Sequence, residues 1–226
     1  MARAASGASS LAGDRARALA LTPVSRETTA RLDQLVELLL RWQRTTNLIA
    51  PTTVPRLWTR HVADSLQLID LAPVARLWVD VGSGGGFPGL VIACGLTGTP
   101  GAHVHLFESN TKKAAFLREA QRLTGAPATV HAGRFEDLAG RLPSAGAVEV
   151  VCARAVAPLK VLCELCFPLL GKNAAIGLFP KGQNVELELD EARQSWNMQV
   201  TLAPSRTDPQ ARIVVIRDLE RGRTTP

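Results

Sequence analysis

An acid, Asp80, stands two residues ahead of the first glycine in the run Gly82-Ser83-Gly84-Gly85-Gly86-Phe87-Pro88-Gly89. Leu77-Trp78-Val79 with Val81 reads as a buried strand leading into that run. Leu90, Val91 and Ile92 begin an apolar helix that Pro88 opens near its first turn. Bare backbone at such a turn lets N–H groups come close to a ligand, and the helix behind it offers its N-terminus to the same space. The chemistry this pattern suits is the grip on a nucleoside cofactor.

Gly84, Gly86 and Gly89 also satisfy G-x-G-x-x-G, and Glu108 lies on a second apolar run about twenty positions further on. That spacing alone serves nicotinamide and S-adenosylmethionine sites equally. Asp80 shifts the choice: nicotinamide enzymes usually run apolar into the turn, and an acid there resembles the signature of the S-adenosylmethionine-dependent methyltransferase superfamily, a likeness that spacing does not itself prove. On this reading Asp80 faces the methionine end of the ligand, Glu108 accepts from the ribose hydroxyls, and Gly82, Ser83 and Gly84 line the loop. A nicotinamide oxidoreductase is the rival reading.

Ligands of such sheets sit beyond the carboxyl ends of the strands. After the third strand comes Gly133-Arg134-Phe135-Glu136-Asp137, where Phe135 could hold an adenine while Glu136 and Asp137 could equally serve only to open a helix. After the fourth comes Cys152-Ala153-Arg154-Ala155-Val156-Ala157-Pro158. The Asn/Asp-Pro-Pro-aromatic tetrad of amino-group methylation is absent, and no cysteine follows a proline as pyrimidine C5 methylation would ask. Arg154 cannot act as a base. An arginine with no base beside it suits a nucleophile that already has a free lone pair, and guanine N7 is one. Lys181, Lys112 and Lys113 offer charge for phosphates, and His61 lies near Asp64 and Ser65. Arg154, Lys181 and His61 are the candidate catalytic residues.

The chain has 226 residues, 46% of them apolar, enough for one large domain with an appendage, and a net charge of +6 that favours a polyanionic partner. No apolar stretch is long enough to span a bilayer, and residues 1–24 lack the continuous apolar block of a secretory signal. Cys94, Cys152, Cys163 and Cys166 point to a reducing compartment, with the Cys163/Cys166 pair packed in a helix rather than on a metal.

Leu32, Leu35, Val36, Leu39 and Trp42 repeat at helical spacing behind Ser25 as a cap, and a second helix is expected after Pro55, with Arg60 and Asp64 pairing on its surface. From residue 76 short apolar runs alternate with helical segments, predicting strands near 77–81, 103–107, 128–131, 148–153, 174–179, 197–202 and 212–217. The short polar loop between the last two makes them an antiparallel hairpin. The expected organisation is a disordered basic tail over 1–24, a helical module over 25–72, an α/β domain over 73–220 and a disordered tail over 221–226.

Taken together, the chain resembles the bacterial ribosomal RNA small-subunit methyltransferase G family, also called glucose-inhibited division protein B. The likeness runs from about residue 30 to 218. It rests on Trp42 through Asn47-Leu48, Arg60-His61 with Asp64-Ser65, Gly86-Phe87-Pro88-Gly89, Lys112-Lys113 with Phe116-Leu117, Arg134 to Glu136, Arg154-Ala155 and Lys181-Gly182. The resemblance implies a Rossmann-like class I fold and methyl transfer from S-adenosylmethionine to N7 of a guanine in small-subunit ribosomal RNA. It also implies that Gly82, Phe87, Phe135, Glu136 and Arg154 contact the cofactor. The protein is then expected to be cytoplasmic and monomeric, with the small ribosomal subunit or its RNA as partner and no membrane. A noncatalytic RNA-binding protein and a small-molecule or protein methyltransferase are the other readings.

Overall fold

The computed structural model describes residues 2–142, 148–171 and 175–222, with the side chains of residues 2–9 and 141 outside the description. The strands are β1 (Leu77–Val81), β2 (His103–Glu108), β3 (Ala128–Ala132), β4 (Val150–Cys152), β5 (Ile176–Lys181), β6 (Trp196–Pro204) and β7 (Arg212–Arg221). They form one sheet in the order β3-β2-β1-β4-β5-β7-β6. The first five are parallel, while β7 runs antiparallel to both β5 and β6. The hairpin expected from the short polar loop is therefore present.

The central strands are mostly apolar because they are covered on both sides, with Asp80 and Glu108 at or near their carboxyl ends. Trp78, Val104, Leu106, Val150 and Cys152 enter one core, and Val79, Val81, Phe107 and Val151 enter the other. Connections are helical: α4 (Gly89–Gly95), α5 (Thr111–Thr124), α6 (Phe135–Leu138), α7 (Leu159–Leu170) and α8 (Val185–Arg193). β1 pairs with β2 on one side and with β4 on the other. The winding thus reverses at β1 and leaves a crevice at the carboxyl ends of these three strands.

N-terminal helices complete the first core. Ser25 caps α2 (Arg26–Trp42) as expected, its Oγ accepting from the Thr28 amide, and Leu32, Leu35, Val36 and Leu39 are buried. The expected disordered tail is instead a helix, α1 (Ala2–Leu21). Alanine-rich sequence favours helix weakly by itself. Specific anchors hold its second half: Ala18 is buried, Arg15 pairs with Asp33 at 2.7 Å, and Asp14 accepts from the amides of Trp58 and Thr59 and from the Thr59 hydroxyl. The C-terminal expectation concerns residues of which Arg221 belongs to β7 and 223–226 lie outside the described residues.

The segment expected as one helix after Pro55 is broken into a 3-10 turn (Pro51–Arg56), a π-helical turn (Trp58–Ala63), a short α3 (Asp64–Leu66) and a second 3-10 turn (Ile69–Leu71). Pro55 lacks the N–H that a regular helix would use. Wider π winding shifts the facing of every later side chain. Asp64 consequently points inward and is buried, and the surface pair with Arg60 does not form.

Asp14 supplies the acceptor for two amides that open the π turn. Asp14→Ala leaves them unpartnered and is expected to cost about 1–3 kcal/mol, read as a lowered denaturant midpoint at unchanged slope. An unchanged midpoint would mean that α1 packs without this anchor.

Candidate active site

The glycine turn is fixed from beneath. Asp80, at the end of β1, is wholly buried, and its Oδ2 accepts from the Gly89 amide at 3.0 Å while Oδ1 faces the Cys152 thiol at 3.9 Å. A Cβ on residue 89 would lie 2.5 Å from both Asp80 Oδ2 and Leu106 Cδ2, so only glycine lets strand and helix approach this closely. Burial pushes the Asp80 carboxyl up to about 6 despite the hydrogen bond from the Gly89 amide. The expected contact between Asp80 and a ligand is thereby corrected: this carboxylate has no exposed surface and ties β1 to α4. Ser83 is likewise turned in, its Oγ donating to the Asp80 carbonyl at 3.2 Å.

Above the strut, the second acid meets the turn. Glu108 ends β2, and its Oε2 accepts from the Gly84 amide at 2.8 Å while Oε1 accepts from the Asn110 amide at 2.7 Å. Each oxygen keeps a second lone-pair site. Gly84 has φ of +54°, and a Cβ there would meet nothing nearer than 3.8 Å, so the space over it is open. Gly82 is covered instead: a Cβ there would sit 2.7 Å from a methyl of Val156. Open backbone beside an acid with acceptor capacity fits the sugar of a nucleoside cofactor.

Arg154, just past β4, is the other organising group. One terminal nitrogen donates to the Arg60 carbonyl at 2.8 Å and to Asp64 Oδ2 at 3.3 Å. The second reaches His61 Nδ1 at 2.6 Å, and the guanidinium lies 5.4 Å from the Phe87 ring centre. Phe87 in turn packs against the His61 ring at 4.9 Å. His61 Nε2 is 2.9 Å from the Thr53 hydroxyl, so both ring nitrogens are engaged. Burial, then the charges of Arg154 and Arg60, lower His61 to about 3. It is neutral near pH 7 and accepts from Arg154 at Nδ1.

Of the residues singled out in the sequence, the structure pairs Gly84 with Glu108 and packs Phe87, His61 and Arg154 against one another. Others are placed differently. The Phe135 ring is buried edge-on against Phe107 at 5.0 Å, so it builds the core rather than offering a face to an adenine. Glu136 is exposed in the first turn of α6, 3.5 Å from Arg134. Lys181 Nζ is held by Glu188 at 2.7 Å and the Ala157 carbonyl at 2.8 Å, which corrects its assignment as a free cation for phosphate. Lys112 is exposed where Asn110 caps α5. Cys152, Cys163 and Cys166 are buried with thiols pushed up by desolvation, and no metal-binding cluster exists among the described residues.

Missed by the sequence reading was the carboxylate that neutralises Arg154. Asp64 Oδ1 accepts from the Thr207 hydroxyl at 2.8 Å and from the Gln67 amide at 2.9 Å, and Gln67 Oε1 accepts from the Arg206 amide at 2.9 Å. One buried carboxylate thus joins the N-terminal helices, β4 and the β6–β7 loop. Its partners are 90 and 143 positions away, beyond any local spacing signal.

Sheet order, the reversal at β1 and the antiparallel β7 define a Rossmann-like class I methyltransferase fold. Solved structures agree on the fold. An O-methyltransferase from Bacillus cereus, solved with SAH, aligns with TM-score 0.55 at 14% identity over 81% of this chain and 90% of its own. The O-methyltransferase TomG from Streptomyces achromogenes, solved with SAM, gives 0.56 at 13% over 81% and 89%. Residues 28–212 match the family model described as rRNA small subunit methyltransferase G. A Bradyrhizobium protein named ribosomal RNA small subunit methyltransferase G is 56% identical over 93% of this chain and 94% of its own length; one from Methylobacterium nodulans is 52% identical over 92% and 97%. The chain belongs to the rRNA small subunit methyltransferase G family, and the nicotinamide reading falls away.

Two buried groups give the site an opposed pH response. His61 is depressed from 6.5 to about 3 in the folded state, so its neutral ring stabilises fully above pH 6.5 and the contribution is lost as pH falls toward 3. Asp80 is raised from 3.8 to about 6, so its contribution is full below pH 3.8 and lost as pH rises through 6. Between those limits the two slopes oppose each other. His61→Gln removes one of them: on lowering pH from 6 to 4, unfolding free energy of the wild type should fall relative to the variant by about 1.4 kcal/mol per pH unit. Parallel pH profiles for the two proteins would refute the buried neutral histidine.

Proposed function

We propose that this chain transfers a methyl group from S-adenosylmethionine to N7 of a guanine in small-subunit ribosomal RNA, and that the crevice over β1, β2 and β4 is where it does so. Family membership supports the reaction and the cofactor. The roles of the residues are our own reading. The open backbone at Gly84 with Glu108 would hold the nucleoside, and Phe87 with Arg154 would close the side toward the acceptor. When bound, S-adenosylmethionine supplies an electrophilic methyl on a sulfonium.

One observation carries the choice of acceptor atom: apart from Glu108, which lies on the cofactor's side of the crevice, the titratable groups around Arg154 are already engaged. His61 is neutral with both nitrogens bonded, Lys181 is paired with Glu188, and Asp80 is buried beneath the turn. Arg154 stays cationic even though burial lowers its proton affinity. Nothing there is free to take a proton, and guanine N7 has none to lose. The chain's work is then to orient two reactants in line and to exclude water. Arg154 is held flat by His61, Asp64 and Phe87, so it can offer its remaining N–H groups without rearranging.

Excess positive charge and the absence, among described helices, of one long and apolar enough to cross a membrane are compatible with an RNA acceptor met in the cytoplasm, with the protein acting as a monomer. The direct test incubates the protein with methyl-labelled S-adenosylmethionine and either small ribosomal subunits or their free RNA, followed by nucleoside mass spectrometry. Label is expected in 7-methylguanosine alone. Label on an exocyclic amine, on a pyrimidine or on no RNA would contradict the proposal.

A further inference from the structure

Next to the crevice, at the carboxyl end of β5, lies a cavity of 90 Å³ bounded by Arg60 and Asp64 from the N-terminal helices, Lys181 at the end of β5 with Gly182 after it, Asp208 from the β6–β7 loop and Arg212 at the start of β7. The geometry points to a subsite for one phosphodiester of the acceptor strand in this cavity, an inference that rests on reading the acceptor as RNA. Charge is the first argument. Asp64 is committed to Arg154 and Lys181 to Glu188. Arg60 and Arg212 enter no ion pair among the described residues. The Arg212 guanidinium bonds only to the carbonyls of Pro209 and Ala211. With Asp208, whose Oδ1 accepts from the Gln210 amide, the uncommitted groups sum to one positive charge. A phosphodiester carries one negative charge.

Size and position agree with that match. A volume of 90 Å³ is room for about three waters, the scale of a phosphate group rather than a nucleoside. β4 and β5 are paired neighbours about 4.8 Å apart, and β5 runs three residues past the Cys152–Leu178 pair to Lys181, which lines the cavity. A base placed beside Arg154, whose partner Asp64 lines the same cavity, would leave its sugar-phosphate within reach of it. Arg60 is also electrically uncompensated: after burial itself, its charge further lowers the proton affinity of both His61 and Arg154. An oxyanion in the cavity would relieve that repulsion.

Arg60 is exposed and Arg212 only half-buried, so both can be changed without disturbing the core. Arg60→Gln and Arg212→Gln are compared with wild type for RNA affinity across a salt series, for KM and kcat with RNA, and for S-adenosylmethionine affinity. Each variant should raise the KM for RNA about 5- to 10-fold and shallow the log–log salt slope by about 0.7 to 0.9, the signature of one lost phosphate contact. Cofactor affinity should not change, and Arg60→Lys should restore the slope. An unchanged slope and KM would overturn the subsite. So would a parallel loss of cofactor affinity, which would give the cavity to the cofactor's carboxylate. A wild type that methylates no RNA would instead remove the functional reading beneath it.

Discussion

A buried carboxylate against a backbone amide is the constraint on which the rest of this molecule is built. Asp80 accepts from the Gly89 amide with no solvent to share the charge, and that bond fixes the end of β1 against the start of α4. Desolvation opposes it, as the raised proton affinity of Asp80 records. The compensation is geometric: with the turn held from beneath, Gly84 projects its amide to Glu108 and leaves its upper side open. A site that must grip a nucleoside needs that backbone pre-organised before the ligand arrives.

The N-terminal helices are the second half of the site. A guanidinium as enclosed as Arg154 is costly unless its charge is met and its donors are used. Arg60, His61 and Asp64, all from the π turn and the residue after it, supply those partners. The helical layer also reaches the glycine turn, since the Gln43 side chain clamps Leu48 and Ile49, and a Cβ on Gly85 would lie 3.1 Å from the Leu48 carbonyl. Helices and sheet therefore share one hydrophobic core, and Asp64 extends the tie to the β6–β7 loop. The crevice is walled on one side by this layer.

Much of this was legible in the sequence. Periodicity and turn chemistry gave all seven strands and the capped α2, because those signals are local. The glycine run with two acids gave the crevice. Asp80 was misassigned because its type and position are the same for a ligand and for a strut; only burial separates them. Lys181 and Phe135 were misread for a similar reason, since Glu188 and Phe107 reach them through the fold. α1 resembled a loose tail because its helix is secured by Asp14 and Arg15 meeting residues 44 and 18 positions away. The break after Pro55 reversed the facing of Asp64, and a helical wheel drawn through it could only mislead.

Division of labour between the two acids is the central claim, and calorimetric titration of S-adenosylmethionine into Asp80→Asn and Glu108→Gln, beside thermal unfolding of each, tests it most directly. Asn retains an oxygen for the Gly89 amide, so Asp80→Asn should bind the cofactor within a few-fold of wild type and remain folded. Glu108→Gln should lose about 10- to 100-fold in affinity, the worth of one or two charge-assisted hydrogen bonds, and should melt a few degrees lower while staying folded, because Gln can accept from only one of the Gly84 and Asn110 amides. The reverse pattern, affinity lost at Asp80 and kept at Glu108, would contradict the account.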